Sequence, residues 1–285
     1  MPAIRLIALD LDGTLLDSEK RLSKENFDAL QRAHRAGACI VPATGRFFAA
    51  MPAVVRALPF LRYAITINGA RVSDASDSQV LYTAEIPGAQ ALEIMAWLDT
   101  LPVIYDCYKD NAGWMTEAMQ RRADEFAPDR HYLEMLRTLR TPVPELKAFV
   151  AQTGGDVQKI QFFTRDLDLR EEVLASCARR FPGTVASASC PNNVEINAAA
   201  ATKGEALRGL CDALGIALEE TIAFGDGLND ISMLRAAGLG VAMGNAVPAV
   251  KAAADEVTAD CDAHGVADVV ARFFPETEAK QEESV

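Results

Sequence analysis

The chain has 285 residues, half of them hydrophobic and about a quarter charged, which is the composition of a globular protein with one large or two modest domains. Its 40 acidic residues outnumber its 28 basic residues and give a formal net charge of −12. A field of this sign repels polyanions, so nucleic acid and anionic membrane surfaces are poor partners. A small phosphorylated ligand is not excluded, because a local pocket can be positive on a negative protein.

The hydropathy and cysteine patterns indicate a cytoplasmic protein. No apolar run approaches the roughly 18 to 20 residues that a membrane-spanning helix needs, and residues 1–6 show no signal-peptide pattern. The six cysteines are far apart and form no CxxC pair, which is typical of reduced thiols. We therefore expect no membrane partner, and either a monomer or a small homo-oligomer.

Short apolar runs alternate with helix-like segments in the first part of the chain. Residues 4–9 are apolar and stop at an Asp-Gly turn, as a buried parallel strand would. Residues 23–37 have helical spacing, a Ser cap at the start and Gly at the end. Residues 38–41 form a second strand-like run, and residues 63–67 a third, which ends at the turn Asn68-Gly69. This alternation predicts a parallel α/β sheet.

The pattern changes after about residue 83 and returns near residue 194. Between these points, helix-like and strand-like segments are irregularly spaced and rich in proline, which predicts a separate α+β domain inserted at 84–193. The α/β core is therefore predicted at 1–83 and 194–285. The helix-like segments of the insert are 88–100, 117–138 and 168–180, and its strand-like segments are 157–163 and 184–188. In the returning core the segments are helix 202–215, strand 221–224, helix 230–237, strand 239–243 and helix 248–254.

Two acid-rich clusters follow predicted strands, at the edge where open α/β sheets build their ligand crevice. In Asp10-Leu11-Asp12-Gly13-Thr14 the two carboxylates are two positions apart on extended backbone, so both can point towards one site. In Gly225-Asp226-Gly227-Leu228-Asn229-Asp230 the glycines permit close backbone approach, and the acids offer hard oxygen ligands for Mg²⁺. For each cluster the alternative is an ordinary solvated turn.

Two further clusters have the chemistry to hold phosphate. Thr44-Gly45-Arg46 offers a hydroxyl and free backbone N–H groups at a loop that leads into a helix. Lys203 lies at the start of a predicted helix, where its ammonium can meet a phosphate oxygen. Taken alone, Thr44-Gly45-Arg46 can be explained as a helix cap, and Lys203 can be explained as a surface lysine.

The combination of these clusters, in this order, resembles the haloacid dehalogenase superfamily. More narrowly it resembles the Cof-type phosphatases of subfamily IIB, which carry a large cap between the second and third motifs. The strings that carry the resemblance are Asp10-Leu11-Asp12-Gly13-Thr14-Leu15-Leu16, Thr44-Gly45-Arg46, Asn68-Gly69-Ala70, Lys203-Gly204, Gly225-Asp226-Gly227-Leu228-Asn229-Asp230 and Val241-Ala242-Met243-Gly244-Asn245-Ala246. The resemblance implies an α/β fold, with a Rossmann-like core, a mainly parallel sheet and an inserted α+β cap.

The resemblance also implies a role for each matching residue. Asp10 would be the nucleophile and Asp12 the general acid/base. The ligands of Mg²⁺ would be Asp10, the backbone carbonyl of Asp12, Asp226 and, directly or through water, Asp230. The phosphoryl oxygens would be held by Thr44, Lys203 and Asn229 and by the backbone N–H groups of Leu11 and Gly45.

The expected activity is hydrolysis of a small phosphorylated metabolite, with a sugar phosphate favoured, through an aspartyl-phosphate intermediate. Asp12 argues against a dehalogenase, because those relatives lack this second acid. Two alternatives stay open: a phosphomutase of the same fold, and a phospho-ligand sensor without catalysis. Arg46, Asn68 and the pair Asn192-Asn193 are candidates for contacting the leaving group, although the pair can also be a plain turn after Pro191.

One residue departs from the family pattern. Pro42 stands where the family usually has an ordinary apolar residue. Because proline removes a donor from a strand ladder, we expect the second strand to end one or two residues early.

Overall fold

The structure is a computed structural model and describes residues 3–276. Within that range the chain forms two compact units. The first comprises residues 3–43, Pro52–Ala64 and 207–276, and the second comprises Thr44–Met51 and Ile65–Ala206.

The strands and helices follow one another in alternation along most of the chain. The strands are β1 Leu6–Leu9, β2 Cys39–Pro42, β3 Tyr63–Thr66, β4 Arg71–Asp74, β5 Val80–Thr83, β6 Val103–Lys109, β7 Ala112–Thr116, β8 Arg140–Val143, β9 Lys159–Thr164, β10 Thr184–Ser187, β11 Asn193–Ala198, β12 Thr221–Gly225, β13 Leu239–Ala242 and β14 Glu256–Val257. The helices are α1 Lys24–Arg35, α2 Ala53–Arg56, α3 Gly88–Leu98, α4 Glu117–Arg121, α5 Ala123–Phe126, α6 Arg130–Thr138, α7 Leu146–Gln152, α8 Leu167–Arg180, α9 Lys203–Leu214, α10 Ile231–Ala236, α11 Pro248–Lys251 and α12 Gly265–Phe273. None of these helices is both long and apolar enough to cross a membrane.

A five-stranded parallel sheet in the order β14-β13-β12-β1-β2 forms the centre of the first unit. Every residue of β1 and β12 is buried, as expected for strands covered on both faces. Leu9 at the end of β1 is level with Phe224 on β12 and Pro42 on β2. The carboxyl ends of these three strands therefore meet at one edge, and the predicted Rossmann-like parallel core is confirmed.

Helix α1 begins and ends as its sequence predicts. The Ser23 hydroxyl accepts a hydrogen bond from the backbone N–H of Asn26, which caps the helix. Gly37, just beyond the last turn, has φ +100°, a conformation that glycine adopts at little cost. The buried face of the helix carries Ala29, Leu30 and Ala33 and packs against α12.

The expected early end of the second strand is wrong, because β2 extends through Pro42. The N–H groups of Cys39 and Ala43 donate to β1, at Arg5 O and Leu9 O. The nitrogen of Pro42, which has the opposite parity, therefore faces away from β1. Within residues 3–276, β2 is the last strand of this sheet, and its outer side makes only the isolated bridge Ile40–Leu61. Proline at this position therefore takes no bond from the ladder with β1.

A six-stranded sheet in the order β10-β11-β9-β6-β7-β8 forms the centre of the second unit. Its pairings are antiparallel except for the parallel pair β7–β8. One face packs on α3, α7 and α8 through a large apolar cluster, and part of the other face packs on α5 and α6. This confirms an α+β unit inserted in the sequence of the α/β core, while the exact cap limits at 84–193 stay a prediction.

The helical stretch predicted at 117–138 is divided into α4, α5 and α6. The helices α5 and α6 are separated at Pro128, which disfavours a helical conformation for the preceding Ala127. Ala127 is indeed extended, with ψ 131°. The N-terminus of α6 is capped by Asp129, whose carboxylate accepts a hydrogen bond from the Tyr132 N–H.

Candidate active site

Asp10 and Asp226 leave two neighbouring parallel strands at the same edge of the sheet. Asp10 follows β1 directly, and its backbone N–H donates to Phe224 O on β12 over 3.0 Å. Asp226 follows the last residue of β12, Gly225. The parallel pairing of β1 with β12 thus brings together two residues that lie far apart in the sequence.

Asp230 joins these two residues in a cluster of carboxylates. Asp10, Asp226 and Asp230 each offer an oxygen atom within 4.8 Å of the others. Asp10 is 9% exposed and Asp230 is fully buried. Negative charges this close repel one another strongly when they are shielded from contact with water, because the local dielectric constant is low. Three carboxylate oxygens are the donor set that a hard divalent cation such as Mg²⁺ prefers, so these side chains fit the predicted metal.

The carboxylate of Asp230 also closes the loop that carries Asp226. Its Oδ2 atom accepts hydrogen bonds from the backbone N–H of Asp226, at 3.0 Å, and of Gly227, at 2.9 Å. A Cβ atom on Gly225 would lie 2.4 Å from the Cβ of Asp230, so only glycine fits at this close approach. Asp230 therefore holds the backbone next to Asp226 in a fixed conformation.

Three residues to which the sequence analysis gave no role surround the Asp226 carboxylate. The Thr14 hydroxyl donates to Asp226 Oδ1 over 3.0 Å. The Asn245 side-chain amide donates to Gly13 O over 2.8 Å and lies 3.5 Å from Asp226 Oδ2. Gly13 has φ +85°, and a Cβ there would lie 2.7 Å from Asp226 Oδ2. All three lie within the motif strings, and their position in those strings was the sequence signal that could have identified a role for them.

Asp12, the expected general acid/base, pairs with a residue that the sequence analysis missed. Lys20 Nζ lies 3.0 Å from Asp12 Oδ1. Lys20 has φ 64° and lies in a loop closed by Asp17, whose Oδ1 accepts from the backbone N–H groups of Glu19 and Arg21. These bonds lower the pKa of Asp17, the largest contribution coming from the Arg21 N–H. A polar residue eight positions after Asp12 carries no motif signal of its own.

Asn229 and Leu11, expected to contact phosphate, lie on the same two loops of the first unit. Leu11 is fully buried, so its side chain is not available to a ligand, and the contact of its backbone N–H with phosphate stays a prediction. Asn229 is exposed, between Leu228 and the buried Asp230.

The other expected phosphate-binding residues belong to the second unit. Thr44 is 3% exposed, and its hydroxyl accepts a hydrogen bond from the Arg46 N–H over 3.2 Å. Its carbonyl accepts from the Asn68 N–H over 3.0 Å. A Cβ on Gly45 would lie 2.9 Å from Asn68 Oδ1. The loop Thr44-Gly45-Arg46 and the turn at Asn68 are therefore closely packed.

The same turn reaches the start of α9. Lys203 is the first residue of that helix and is fully buried. A Cβ on Gly69 would lie 2.2 Å from Thr202 O and 2.9 Å from Lys203 N, and Gly69 has φ +99°, so glycine is required here. The structure thus brings Thr44, Gly45 and Lys203 into one unit, while the meeting of all the predicted site residues around one cation stays a prediction.

Asn193 is used inside its own turn, whereas Asn192 bonds to the distant residue Phe126. Asn193 Oδ1 accepts hydrogen bonds from the backbone N–H groups of Ser189 and Cys190, and Asn192 Nδ2 donates to Phe126 O over 2.7 Å. For Asn193 this geometry is that of the turn given above as the alternative, and contact of the pair with the leaving group stays a prediction.

Residues 7–270 match the haloacid dehalogenase-like hydrolase family. The phosphatase YwpJ of Bacillus subtilis is 34% identical over 93% of this chain and 98% of its own. The pyridoxal phosphate phosphatase YbhA of Escherichia coli is 33% identical over 95% of this chain and 97% of its own. Among solved structures, the subclass IIB sugar phosphatase BT4131 has a TM-score of 0.75 and 28% identity over 94% of this chain and 98% of its own.

The chain therefore belongs to the haloacid dehalogenase-like hydrolases. Its resemblance to the Cof-type, subclass IIB phosphatases, expected from the motifs, is confirmed, as is the enzyme class, a phosphoric monoester hydrolase.

Proposed function

We propose that this enzyme is a Mg²⁺-dependent phosphatase that hydrolyses a small phosphorylated metabolite, preferably a sugar phosphate, through an aspartyl-phosphate intermediate. The observation that carries the proposal is the cluster of Asp10, Asp226 and Asp230 at the ends of neighbouring parallel strands. Relatives named for pyridoxal phosphate and for sugar phosphates match this chain over nearly its whole length, which supports a substrate of similar size.

In this proposal Asp10 attacks the phosphorus atom and becomes phosphorylated. A carboxylate and a phosphate oxygen about 4 Å apart repel each other by on the order of 4 kcal/mol per pair of unit charges at an effective dielectric constant of 20. Asp10, the Asp12 carbonyl, Asp226 and, directly or through water, Asp230 would hold Mg²⁺, which would supply positive charge that offsets this repulsion.

Asp12 would take part in two proton transfers. Its carboxyl group first donates a proton to the leaving oxygen, and its carboxylate then removes a proton from the water molecule that hydrolyses the aspartyl phosphate. Lys20, which pairs with Asp12, would help to orient this side chain. The loop that contains both residues is fixed by the hydrogen bonds to Asp17.

Thr44, Lys203 and Asn229 would hold the phosphoryl oxygens, together with the backbone N–H groups of Leu11 and Gly45, while Arg46 would contact the leaving group. The complete burial of Lys203 supports its role, because a lysine is rarely fully buried unless its ammonium group is paired with an opposite charge or an acceptor. An ammonium group of this kind stabilises the charge on a transferring phosphoryl group.

The test is release of inorganic phosphate from p-nitrophenyl phosphate and from a panel of sugar phosphates. We expect activity that requires Mg²⁺, is removed by EDTA and is abolished in Asp10→Asn. Full activity of Asp10→Asn would disprove the nucleophile assignment. Phosphorus NMR separates the alternatives, since a mutase gives an isomerised ester without inorganic phosphate, and a sensor binds without turnover.

A cytoplasmic location also stays a proposal. It is supported by the six cysteines, which all lie within residues 3–276 and are free thiols.

A further inference from the structure

A row of buried polar side chains crosses one face of the six-stranded sheet. Asp106 on β6, Gln161 on β9 and Glu195 on β11 are direct cross-strand neighbours, so their side chains project from the same face. None of the three is more than 6% exposed. Tyr108 and Lys159 form the next pair on this face and are also buried.

On the side of Asp106 and Gln161 that lies opposite Tyr108 and Lys159, the same face of the sheet is apolar. There Ile104 is paired with Phe163, and both pack in a cluster with α5 and α6. Burying ions carries a large desolvation cost, and buried ion pairs are often no more stabilising than apolar residues of similar size. A face that only had to be covered could have stayed apolar, so the change to charged residues is consistent with a role in binding.

The four charges of this cluster are neutralised in two pairs. Arg140 extends over Gly113, where a Cβ would lie 2.5 Å from its Cδ, and donates from Nε to Asp106 Oδ2 over 2.9 Å. Lys159 Nζ lies 3.1 Å from Glu195 Oε1. Arg140 also donates to the Tyr108 hydroxyl over 2.8 Å. Since the charges cancel, the cluster suits a neutral polar group rather than a second anion.

Among residues 3–276, two buried atoms of this row find no hydrogen-bond partner: Asp106 Oδ1 and Gln161 Nε2. The first is an acceptor, the second is a donor, and their residues lie directly opposite each other on adjacent strands. A hydroxyl group can donate to the carboxylate and accept from the amide at the same time. Leaving both atoms unpaired would cost the desolvation energy of each.

The row is connected at both ends to the loop Thr44–Met51. At one end Glu195 Oε2 accepts from Asn68 Nδ2 over 3.4 Å, and Asn68 in turn bonds to Thr44. At the other end Phe47 packs edge-on against Tyr108, with ring centroids 5.2 Å apart. A substrate whose phosphate is held by Thr44 would therefore extend towards this row.

We propose that Asp106 and Gln161 bind a hydroxyl group of the leaving group, so that the enzyme prefers phosphate esters of hydroxylated compounds. This inference rests on the proposed function, since it takes Thr44 as a phosphate ligand. Gln161 is thereby a specificity-determining residue of the reaction.

The experiment compares kcat/KM for glucose 6-phosphate, ribose 5-phosphate and erythrose 4-phosphate with that for p-nitrophenyl phosphate, whose leaving group offers no such alkyl hydroxyl. In Gln161→Met we expect the ratio of the best sugar phosphate to the nitrophenyl ester to fall by about 10- to 100-fold, because the lost partner leaves a buried group unpaired. In the wild type, kcat/KM should be lower for deoxy analogues of that sugar phosphate than for the parent compound, by the same factor. In Gln161→Met, removal of the hydroxyl group should cause no further loss of kcat/KM.

Phe163→Leu is the matched control, since Phe163 lies on the same strand and the same face, two residues away. It should lower the melting temperature and leave the ratio unchanged. Gln161→Ala, which removes volume instead of refilling it, replaces the Met variant if that one does not fold.

An unchanged ratio in Gln161→Met would show that the two atoms hold only an ordered water, and would overturn the inference. So would a wild type that hydrolyses the nitrophenyl ester better than every sugar phosphate. Either result leaves the phosphatase function standing, whereas a failure to hydrolyse any of the esters would defeat the proposed function itself.

Discussion

Thr14 and Asp226 are joined by a hydrogen bond of 3.0 Å from the threonine hydroxyl to Asp226 Oδ1, across a separation of 212 positions in the sequence. The bond links the loop after β1 to the loop after β12, and thus the two loops that carry Asp10 and Asp226. Groups that hydrogen-bond to metal ligands fix the orientation of those ligands and contribute to metal affinity. The fully buried Thr14 therefore helps to position a carboxylate of the candidate metal site.

Replacing this hydroxyl should weaken metal binding. Thr14→Val keeps the shape of the side chain and removes the donor to Asp226, so we expect the Mg²⁺ concentration for half-maximal activity to rise by about 10-fold or more. The matched control is Thr221→Val at the opposite end of β12, where the hydroxyl donates to Leu218 O over 2.7 Å. The control should lower stability without changing the Mg²⁺ dependence, and equal Mg²⁺ curves for Thr14→Val and wild type would contradict the assignment.

Gly13 is expected to be required for both its conformation and its small size. With φ +85° and a Cβ position 2.7 Å from Asp226 Oδ2, Gly13→Ala should displace this carboxylate and reduce kcat by roughly 100-fold or more. Gly37 has φ +100° and open space around its Cβ position. Gly37→Ala should therefore cost about 1–2 kcal/mol of stability from backbone strain alone, with kcat unchanged. Loss of activity in both variants would mean that strain, rather than the contact with Asp226, is decisive.

The loop that joins β4 and β5 should give the protein a measurable sensitivity to acid. Hydrogen bonds from Ser76, from the Gln79 N–H and from Ser78 lower the pKa of Asp74 from 3.8 to about 2. Because the pKa is lower in the folded state, these bonds contribute stability above about pH 4 that is lost as the pH falls towards 2. Urea midpoints measured between pH 2 and 7 should fall less steeply in Asp74→Asn than in the wild type. Parallel curves for Asp74→Asn and the wild type would refute the prediction.

The acid cluster could be predicted because it depends on short-range signals. Apolar runs that stop at Asp10 and Asp226 identify strand ends, and parallel strands place their carboxyl ends at one edge. The pairing of Lys20 with Asp12 could not be predicted, since it depends on the left-handed conformation of a polar loop residue.

The structure of the second unit was harder to predict from its sequence. All seven residues of β6 are buried, so this strand lacks polar alternation, and Asp106 and Lys109 interrupt the apolar run that would otherwise identify it. Asp106 lies in that strand as a buried acid, and its partners Arg140 and Gln161 come from distant segments. The polar row exists only once the register of the six-stranded sheet is known.

Pro42 gives a direct test of the edge-strand explanation. Its nitrogen faces away from β1, so Pro42→Ala should restore an N–H without adding a bond to the ladder, and should change the free energy of unfolding by less than about 1 kcal/mol. Ala43→Pro, one residue further, removes the 2.7 Å bond from Ala43 N to Leu9 O and should cost about 1–3 kcal/mol because the buried carbonyl loses its partner. Urea denaturation of both variants measures the difference. If Pro42→Ala proved more stable than the wild type by over about 1 kcal/mol, the new N–H would have found an acceptor, and β2 would not be an open edge at this residue.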